Sequence, residues 1–513
     1  MSYAIDSKKI ATNTIAMYIR LGITMVISFF TARITLQQLG VEDYGLNNLV
    51  GSIVSMFSFI VGSMSTAVAR YYNIEIGKNN EKMLGRVFGV GMYLHIIVAI
   101  ITLLLAEIFA IFFLHKLNIP TERLFAAQVV FQISVISLVL NIVNVPYSAL
   151  LRAREMFSQI AMVEIVQSFL RLGVLFLLIR IGYDKLIALS LLNFGITLMY
   201  IAALAFMARR FKETHNKPIR DKELIKQMLS FISMLLVTIL ASLLTTQGTV
   251  ILINLFFGLT INAAYAVAVQ VSGIVSAFVE NFKSPMAPQM MKAYGAGDLT
   301  AMHKVINMGT KITFLLMLMI SVPVIFESQF LLDIWLKTPP EHSAELVSLV
   351  LIAINISSFT YFQYQGVHAS GNIFAQQIWM SSTYILNIIV VYVVFKLGAS
   401  FEAAVYVNMI ICAIQCCVNL YYGRKNYNYS IRRFISNVLT PCLVVVVIIM
   451  VTMSSITHLL EPSTARFILV FVLSEVLICV GGYYLILDKI EKQRVIQFAS
   501  DFIKKKKNDV LHL

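Results

Sequence analysis

The stretch AMYIRLGITMVISFF, residues 16–30, decides the class of fold. It lies inside an apolar run, Ile10–Leu39, which as a helix is long enough to cross the roughly 30 Å of hydrocarbon in a membrane. Arg20 is a permanent cation within this run, and placing an arginine at the bilayer centre costs roughly 2.5–3.5 kcal/mol. Because intramembrane charges usually face a cavity and serve a function, the segment predicts a membrane protein with a polar site inside it.

The rest of the chain has the same apolar character. Of its 513 residues, 59% are hydrophobic and 13% are charged, whereas a typical soluble domain has about 25% charged residues. This pattern predicts an all-α polytopic membrane protein with fourteen transmembrane helices, without a soluble domain to hold an active site and without catalytic residues. The predicted spans are Ile10–Leu39, Leu46–Arg70, Val87–Leu114, Leu124–Leu150, Phe157–Arg180, Leu186–Met207, Met228–Phe256, Ile261–Phe282, Val305–Phe326, Ala344–Val367, Ala375–Leu397, Phe401–Tyr422, Phe434–His458 and Ala465–Leu487.

The distribution of lysine and arginine predicts the orientation of these spans. With the N-terminus placed in the cytoplasm and basic residues near a span end counted with the adjoining segment, 29 of the 40 basic residues fall in inner segments and eight in outer segments. The other three, Arg20, Arg171 and Lys311, lie deeper inside spans. Cytoplasmic loops are enriched in lysine and arginine, so both termini are predicted to be cytoplasmic. The net charge of +14 is then mostly a topology signal, and we expect no nucleic-acid partner.

A charged linker, RRFKETHNKPIRDKELIK at Arg209–Lys226, divides the chain after the sixth span. The two sides are weakly similar at an offset of 218 residues, which indicates two six-helix repeats inserted in the same sense. We predict a first lobe at 1–210, a cytoplasmic linker at 211–227, a second lobe at 228–425, and the last two spans with a basic tail at 426–513. The matching pairs are Gly40 with Gly258, Gly77 with Gly295 and Arg86 with Lys304.

Four motifs make the sequence resemble a known family. They are TARITLQQLGVEDYGLNNLVGSIVSMFSF near the start, NVPYSALLRAREMF at Asn144–Phe157, APQMMKAYGAGDLTAM at Ala287–Met302 and HASGNIFAQQ at His368–Gln377. In this order and spacing they resemble Wzx-type polysaccharide flippases, which belong to the same superfamily as MATE exporters and the lipid II flippase. The resemblance runs along nearly the whole chain.

The resemblance implies a fold, a substrate and a location. The fold would be two MATE-like six-helix bundles around a central cavity, with helices 13 and 14 appended. The substrate would be an undecaprenyl-diphosphate-linked oligosaccharide, moved by alternating access from the inner to the outer leaflet of the bacterial cytoplasmic (inner) membrane. The implied partners are this lipid-linked substrate, membrane lipids and the polysaccharide polymerase machinery.

Two arginines of the first span are candidates for contact with a substrate. Arg20 lies ten residues past the start of the span, about 15 Å deep and near the midplane. It either lines a cavity or pairs with a neighbouring carbonyl or glutamate. Arg33 lies about 20 Å further along the axis, near the outer surface, where snorkelling of the side chain to the interface is an equal alternative.

The fifth and ninth spans supply the other candidate residues. Glu164, Gln167 and Arg171 are spaced i, i+3 and i+7, which places them on one helical face that should look into protein or water. Lys311 lies near the inner third of the ninth span.

The sign of the deep charges distinguishes between classes of substrate. Arg20, Arg171 and Lys311 are cationic, and no aspartate lies deep in a predicted span. A diphosphate suits arginine, whose planar fork meets two phosphate oxygens, whereas an exporter of cationic drugs would need buried carboxylates. The chain has no Walker A motif, no cysteine and histidine spacing typical of a metal site and no sign of a cofactor. The alternatives are a MATE-like multidrug or cation antiporter and a membrane polysaccharide polymerase or ligase.

Overall fold

The computed structural model describes residues 7–55, 58–113, 121–336, 339–488 and 491–493. Within these ranges the regular structure is helical and contains no strand, as predicted for an all-α protein. The helices are α1 Ser7–Ser55, α2 Ser58–Gly77, α3 Glu81–Phe113, α4 Leu124–Ala153, α5 Phe157–Leu178, α6 Lys185–Ala208, α7 Lys222–Gly295, α8 Leu299–Phe326, α9 Ser328–Leu336, α10 Ser343–Ser357, α11 Tyr361–Ser370, α12 Phe374–Lys396, α13 Ala403–Tyr427, α14 Ile431–Phe434, α15 Thr440–Leu459 and α16 Thr464–Gly481.

Thirteen described helical segments are long and apolar enough to cross a membrane, from Lys9–Ser28 to Thr464–Ile486. The predicted span Leu46–Arg70 has no counterpart among them, since it includes residues 56–57, which lie outside the described residues. Helix is present on both sides of these two residues, up to Ser55 and from Ser58 to Gly77. The prediction of an all-α polytopic membrane protein is confirmed.

Two glycines break the longest helices in the same way. Gly40 has φ 76° and ψ 173° inside α1, and Gly258 has φ 79° and ψ −170° inside α7. Glycine adopts positive φ without the steric cost that a Cβ atom brings, so it suits a sharp break between two membrane helices. The two breaks lie at positions that the sequence repeat pairs with each other.

The predicted span Ala344–Val367 is interrupted in the structure. Helix α10 ends at Ser357 and α11 begins at Tyr361. The Ser357 hydroxyl donates a hydrogen bond to the carbonyl of Ile354 at 2.8 Å, and the Ser358 hydroxyl donates to that of Asn355 at 2.7 Å. Serine hydroxyls that bond to nearby carbonyls compete with the helical ladder and accompany this break, which apolar periodicity does not show.

The described residues form two compact units. The first holds residues 9–239 and 291–297, and the second holds residues 7–8, 240–290 and the described residues from 298 onward. One boundary between the units falls inside α7, and the division into lobes at 1–210 and 228–425 stays a prediction. In the first unit, α4 packs against α2, α3 and α6 around Phe131, Leu175 and Leu186. In the second unit, residues of α8, α10 and α13 share a core that includes Met317, Leu346 and Val405.

Ion pairs tie the helix ends of the first unit together. At one end, the Arg123 guanidinium binds the carboxylates of Asp43 and Asp184, the latter at 2.6 Å. These three residues belong to the first, third and fifth connections, all of which are predicted to lie outside the membrane on the outer side. At the opposite ends of the helices, Glu155 binds both Lys9, at 3.3 Å, and Lys292.

The repeat also appears in a close contact between two glycine segments of the first unit. A Cβ atom on Gly77 would lie 2.1 Å from the carbonyl oxygen of Lys292, and one on Gly295 would lie 2.3 Å from that of Ile74. Ile74 and Lys292 are 218 residues apart, as are Gly77 and Gly295. Such a reciprocal contact, in which each segment meets the other with equivalent residues, is the pattern of a local two-fold relation.

This contact predicts that alanine is not tolerated at either glycine. Gly77→Ala and Gly295→Ala each place a methyl group against backbone that cannot rotate away, and overpacking of this kind costs roughly 1–3 kcal/mol or more. We expect each variant to lower the thermal unfolding midpoint in detergent. Gly22→Ala is the matched control because no atom lies within 4 Å of its Cβ position. Unchanged unfolding midpoints for Gly77→Ala and Gly295→Ala would contradict this account.

Candidate functional site

One stripe of α1 docks this helix on the start of α5. Asn13 and Met17 are buried, and Met17 packs with Phe157 and Ala161. The Asn13 amide donates a hydrogen bond to the carbonyl of Glu155 at 3.0 Å, and the Ser158 hydroxyl donates to the Asn13 side-chain oxygen at 2.9 Å. Arg20 follows Met17 by three residues, so the same stripe carries its side chain towards α5.

Arg20 forms an ion pair with Glu164. Its Nη1 donates to Oε2 of the carboxylate, which joins α1 to α5 inside the first unit. Of the alternatives left open by the sequence, the structure shows pairing with a glutamate. The two side chains nevertheless keep 23% and 21% of their surface exposed. The protein therefore encloses this pair only in part.

Helix α5 presents two different faces. The exposed apolar residues Met162, Phe169 and Phe176 lie on one side of it. Glu164, Gln167 and Arg171 lie on the opposite side, together with the buried residues Ile160 and Leu175. Arg171 is exposed although it shares the face of these buried residues. Its exposure therefore indicates open space on the inner side of α5.

Two further residues, Tyr200 and Arg152, lie near Arg20, Glu164 and Arg171. The Tyr200 hydroxyl on α6 interacts electrostatically with Glu164, Arg20, Arg171 and Arg152, the last of which lies in the last turn of α4. We call these five residues the polar cluster. Sequence reasoning missed Tyr200, because a tyrosine in an apolar span has no periodic signal, and treated Arg152 only as a cytoplasmic charge. Their proximity follows from the packing of α5 on α6.

The polar cluster extends along the membrane normal. Glu164 lies seven residues from the start of α5, about 10 Å along the helix, and Arg171 lies about 21 Å along it. Arg152 belongs to the last turn of α4. The cations are therefore spread from the end of a membrane helix to beyond the middle of the bilayer.

The remaining predicted residues are not part of this cluster. Lys311 belongs to the second unit, where its side chain is 4% exposed and its Nζ lies 2.9 Å from Oε2 of Glu491. This pair anchors the segment that follows α16. The side chain of Arg33 lies outside the described part of the structure. Within the described ranges, no three histidine, cysteine, aspartate or glutamate side chains are grouped so as to hold a metal ion.

The family comparison agrees with this arrangement of helices. Residues 15–177 match the MatE family. This match covers α1 to α5 and hence Arg20, Glu164 and Arg171. No curated protein sequence matches the chain.

Solved structures show that the chain has the MATE transporter fold. A MATE protein in the straight conformation is 12% identical with a TM-score of 0.70, and the match covers 83% of this chain and 97% of that one. An outward-facing multidrug resistance MATE family transporter of the MOP superfamily is 12% identical with a TM-score of 0.68, over 82% of this chain and 95% of that one. A MOP superfamily transporter from Pyrococcus furiosus, described as having a binding pocket of reverse polarity, is 12% identical with a TM-score of 0.64. This match covers 83% of this chain and 96% of that one.

The two faces of α5 predict a pattern of water access. In a variant without the five native cysteines, we expect Gln167→Cys and Arg171→Cys to react with a water-soluble maleimide in intact membranes. Leu175→Cys should not react because Leu175 is 1% exposed, and Phe176→Cys should not react because its face meets lipid. Equal labelling at residues 171 and 176 would show that α5 is not oriented in this way.

Proposed function

We propose that this MATE-type protein is a flippase that moves an undecaprenyl-diphosphate-linked oligosaccharide from the inner to the outer leaflet of the cytoplasmic membrane. The observation that carries the proposal is the polar cluster, in which three arginines accompany one glutamate and the Arg20–Glu164 pair is only partly buried. The resemblance of the sequence motifs to Wzx-type flippases supports the same substrate. The polyprenyl chain would stay in lipid while the charged head follows the cluster.

The net charge of the cluster suits a diphosphate. Arg20, Arg152 and Arg171 exceed the single carboxylate of Glu164 by two positive charges. Arginine binds phosphate oxygens through parallel hydrogen bonds that are roughly twice as strong as neutral ones. The Tyr200 hydroxyl can donate to a phosphate or a sugar oxygen. An anionic head group would therefore meet several donors in turn along the cluster.

In this proposal Glu164 prepares Arg20 for the substrate. A cation inside the membrane needs a counter-charge when no substrate is bound, and Glu164 supplies it. An arriving phosphate competes with this carboxylate for the guanidinium, so Arg20 is never left without an anion. Arg152, near the end of α4, would meet the head group first. Arg171, about 21 Å along α5, would meet it last.

A second candidate function is a multidrug or cation antiporter. It is favoured by the carboxylate of Glu164 within the cluster and by the fold shared with a multidrug resistance MATE family transporter. The two functions require different charges. A cation antiporter depends on Glu164, whereas a diphosphate flippase depends on Arg20 and Arg171.

Substitutions at Arg20 and Glu164 test the flippase proposal. Arg20→Leu should lower the export of surface polysaccharide about tenfold or more, since a hydrogen bond to a charged group is worth roughly 1.5–3 kcal/mol. Arg20→Lys should recover part of the export, because the ammonium lacks the planar fork. The measurement is surface polysaccharide per unit of membrane-inserted protein, in cells that lack the native gene.

The double variant Arg20→Leu with Glu164→Leu separates binding from a structural role. Replacing both partners of an ion pair by apolar groups often preserves stability, so we expect normal protein levels and failed export. Normal export by this double variant would mean that Arg20 serves only to pair with Glu164.

For the antiporter, Glu164→Gln should abolish resistance to cationic drugs, whereas the flippase proposal expects no drug phenotype. Lys304→Gln, at an exposed position, is the control for loss of a charge.

A further inference from the structure

A cavity of about 480 Å³ opens at one end of the first unit. It is separate from the polar cluster, since none of the five cluster residues lines it. Its walls come from the start of α3, from the residue after α4 and from the segment that follows α6. The lining residues are Glu81, Lys82, Arg154, Arg210, Phe211, Lys212, Glu213 and Asn216.

The position of this cavity along the membrane normal follows from the helices around it. Three membrane-crossing segments end beside it: one begins at Glu81, one ends at Ala153 and one ends at Ala208. The predicted spans end at Val87, Leu150 and Met207, within six residues of these helix ends, so the helix ends reach the layer of lipid head groups. The cavity therefore lies at head-group depth, on the side that the lysine and arginine distribution predicts to be cytoplasmic.

The charges of the cavity favour an anion. Glu213 is buried and binds the Arg154 guanidinium, which also lies 5.2 Å from the centre of the Phe211 ring. This internal pair forms a neutral wall. Lys82, Arg210 and Lys212 are exposed, and none of them forms an ion pair with another described residue. Against the single remaining carboxylate, that of Glu81, they leave two positive charges in excess.

The surface of α6 indicates that the anion is carried by a lipid. Phe206 is 70% exposed and lies near the end of α6, two residues before the helix ends at Ala208 and four before Arg210, and Met199, two turns earlier, is 59% exposed. An apolar strip that leads to a cation at head-group depth matches a phospholipid, with its acyl chain along the strip and its phosphate at the cation. A soluble phosphate compound would make no use of the strip.

We propose that this cavity binds the phosphate head group of an anionic phospholipid of the inner leaflet. The lipid would bridge the start of α3 and the segment after α6, at residues whose positive charges otherwise repel one another. The site does not depend on the transported substrate, so it holds whether the protein is a flippase or an antiporter. Its expected effect is stabilisation of the first unit by anionic lipid.

The test uses the purified full-length protein in detergent, titrated with phosphatidylglycerol or with phosphatidylcholine while thermal unfolding is followed. We expect phosphatidylglycerol to stabilise the protein at lower concentrations than phosphatidylcholine. The variant Arg210→Gln with Lys212→Gln should need about 25-fold more phosphatidylglycerol, since each basic residue near a membrane is worth about a factor of five. The control is Lys222→Gln with Lys226→Gln, which removes two exposed charges outside the cavity.

Three results would overturn the proposal. An equal loss in the control variant would show that the effect is diffuse attraction to the whole basic surface. Equal stabilisation by inorganic phosphate, in the absence of lipid, would show that the ligand is a free phosphate compound. Equal stabilisation by the two lipids would show that charge is not recognised. If the double variant does not fold, Lys82→Gln on the opposite wall provides the same comparison, with a shift of about fivefold.

Discussion

The hydrocarbon of the membrane offers no hydrogen-bond partner to the backbone, and the rest of this structure depends on that constraint. Every crossing must satisfy its own N–H and C=O groups, which only a helix does within a single segment. A break in a helix then needs residues that allow it, such as glycine or a side chain that bonds to the backbone. Gly40 and Gly258, which adopt positive φ, lie in connections between predicted spans. Inside the predicted span Ala344–Val367, the break between α10 and α11 is accompanied by serine hydroxyls that bond to nearby carbonyls.

The membrane hydrocarbon also determines where charged side chains can be placed. In the first unit the intramembrane arginine Arg20 has a carboxylate partner on a neighbouring helix, and in the second unit Lys311 has one in the segment after α16. The two pairs differ in access. Lys311 is nearly enclosed, so its pair holds one segment on another, whereas the Arg20 pair stays open on the face of α5 that also carries Arg171. Burial, more than charge, distinguishes a structural ion pair from a candidate binding site.

The sequence was sufficient for the fold class and for the faces of single helices, because both follow from periodicity. The spacing of Glu164, Gln167 and Arg171 predicted one face of α5, and the offset of 218 residues paired Gly40 with Gly258 before their shared backbone conformation was known. Contacts between helices could not be predicted from the sequence. The partner of Arg20 lies 144 residues away, and Tyr200 joins the cluster only because α6 packs beside α5.

A shared fold does not determine the sign of the charge that a transporter carries. The neighbours in this fold include a multidrug resistance transporter and a protein described as having a pocket of reverse polarity, and each is similar to this chain over more than four fifths of its length. The helices therefore specify a framework, and a few side chains set its electrostatics. In the first unit of this protein the arginines outnumber the glutamate of the polar cluster, and the one carboxylate is engaged by Arg20. A cation entering this space would meet an excess of positive charge and would have to displace an arginine from its partner. Under the proposed function, an anionic head group would instead be attracted by the excess positive charge and could bind the arginine, which is the physical reason why we propose a phosphate-bearing substrate and not a cationic drug.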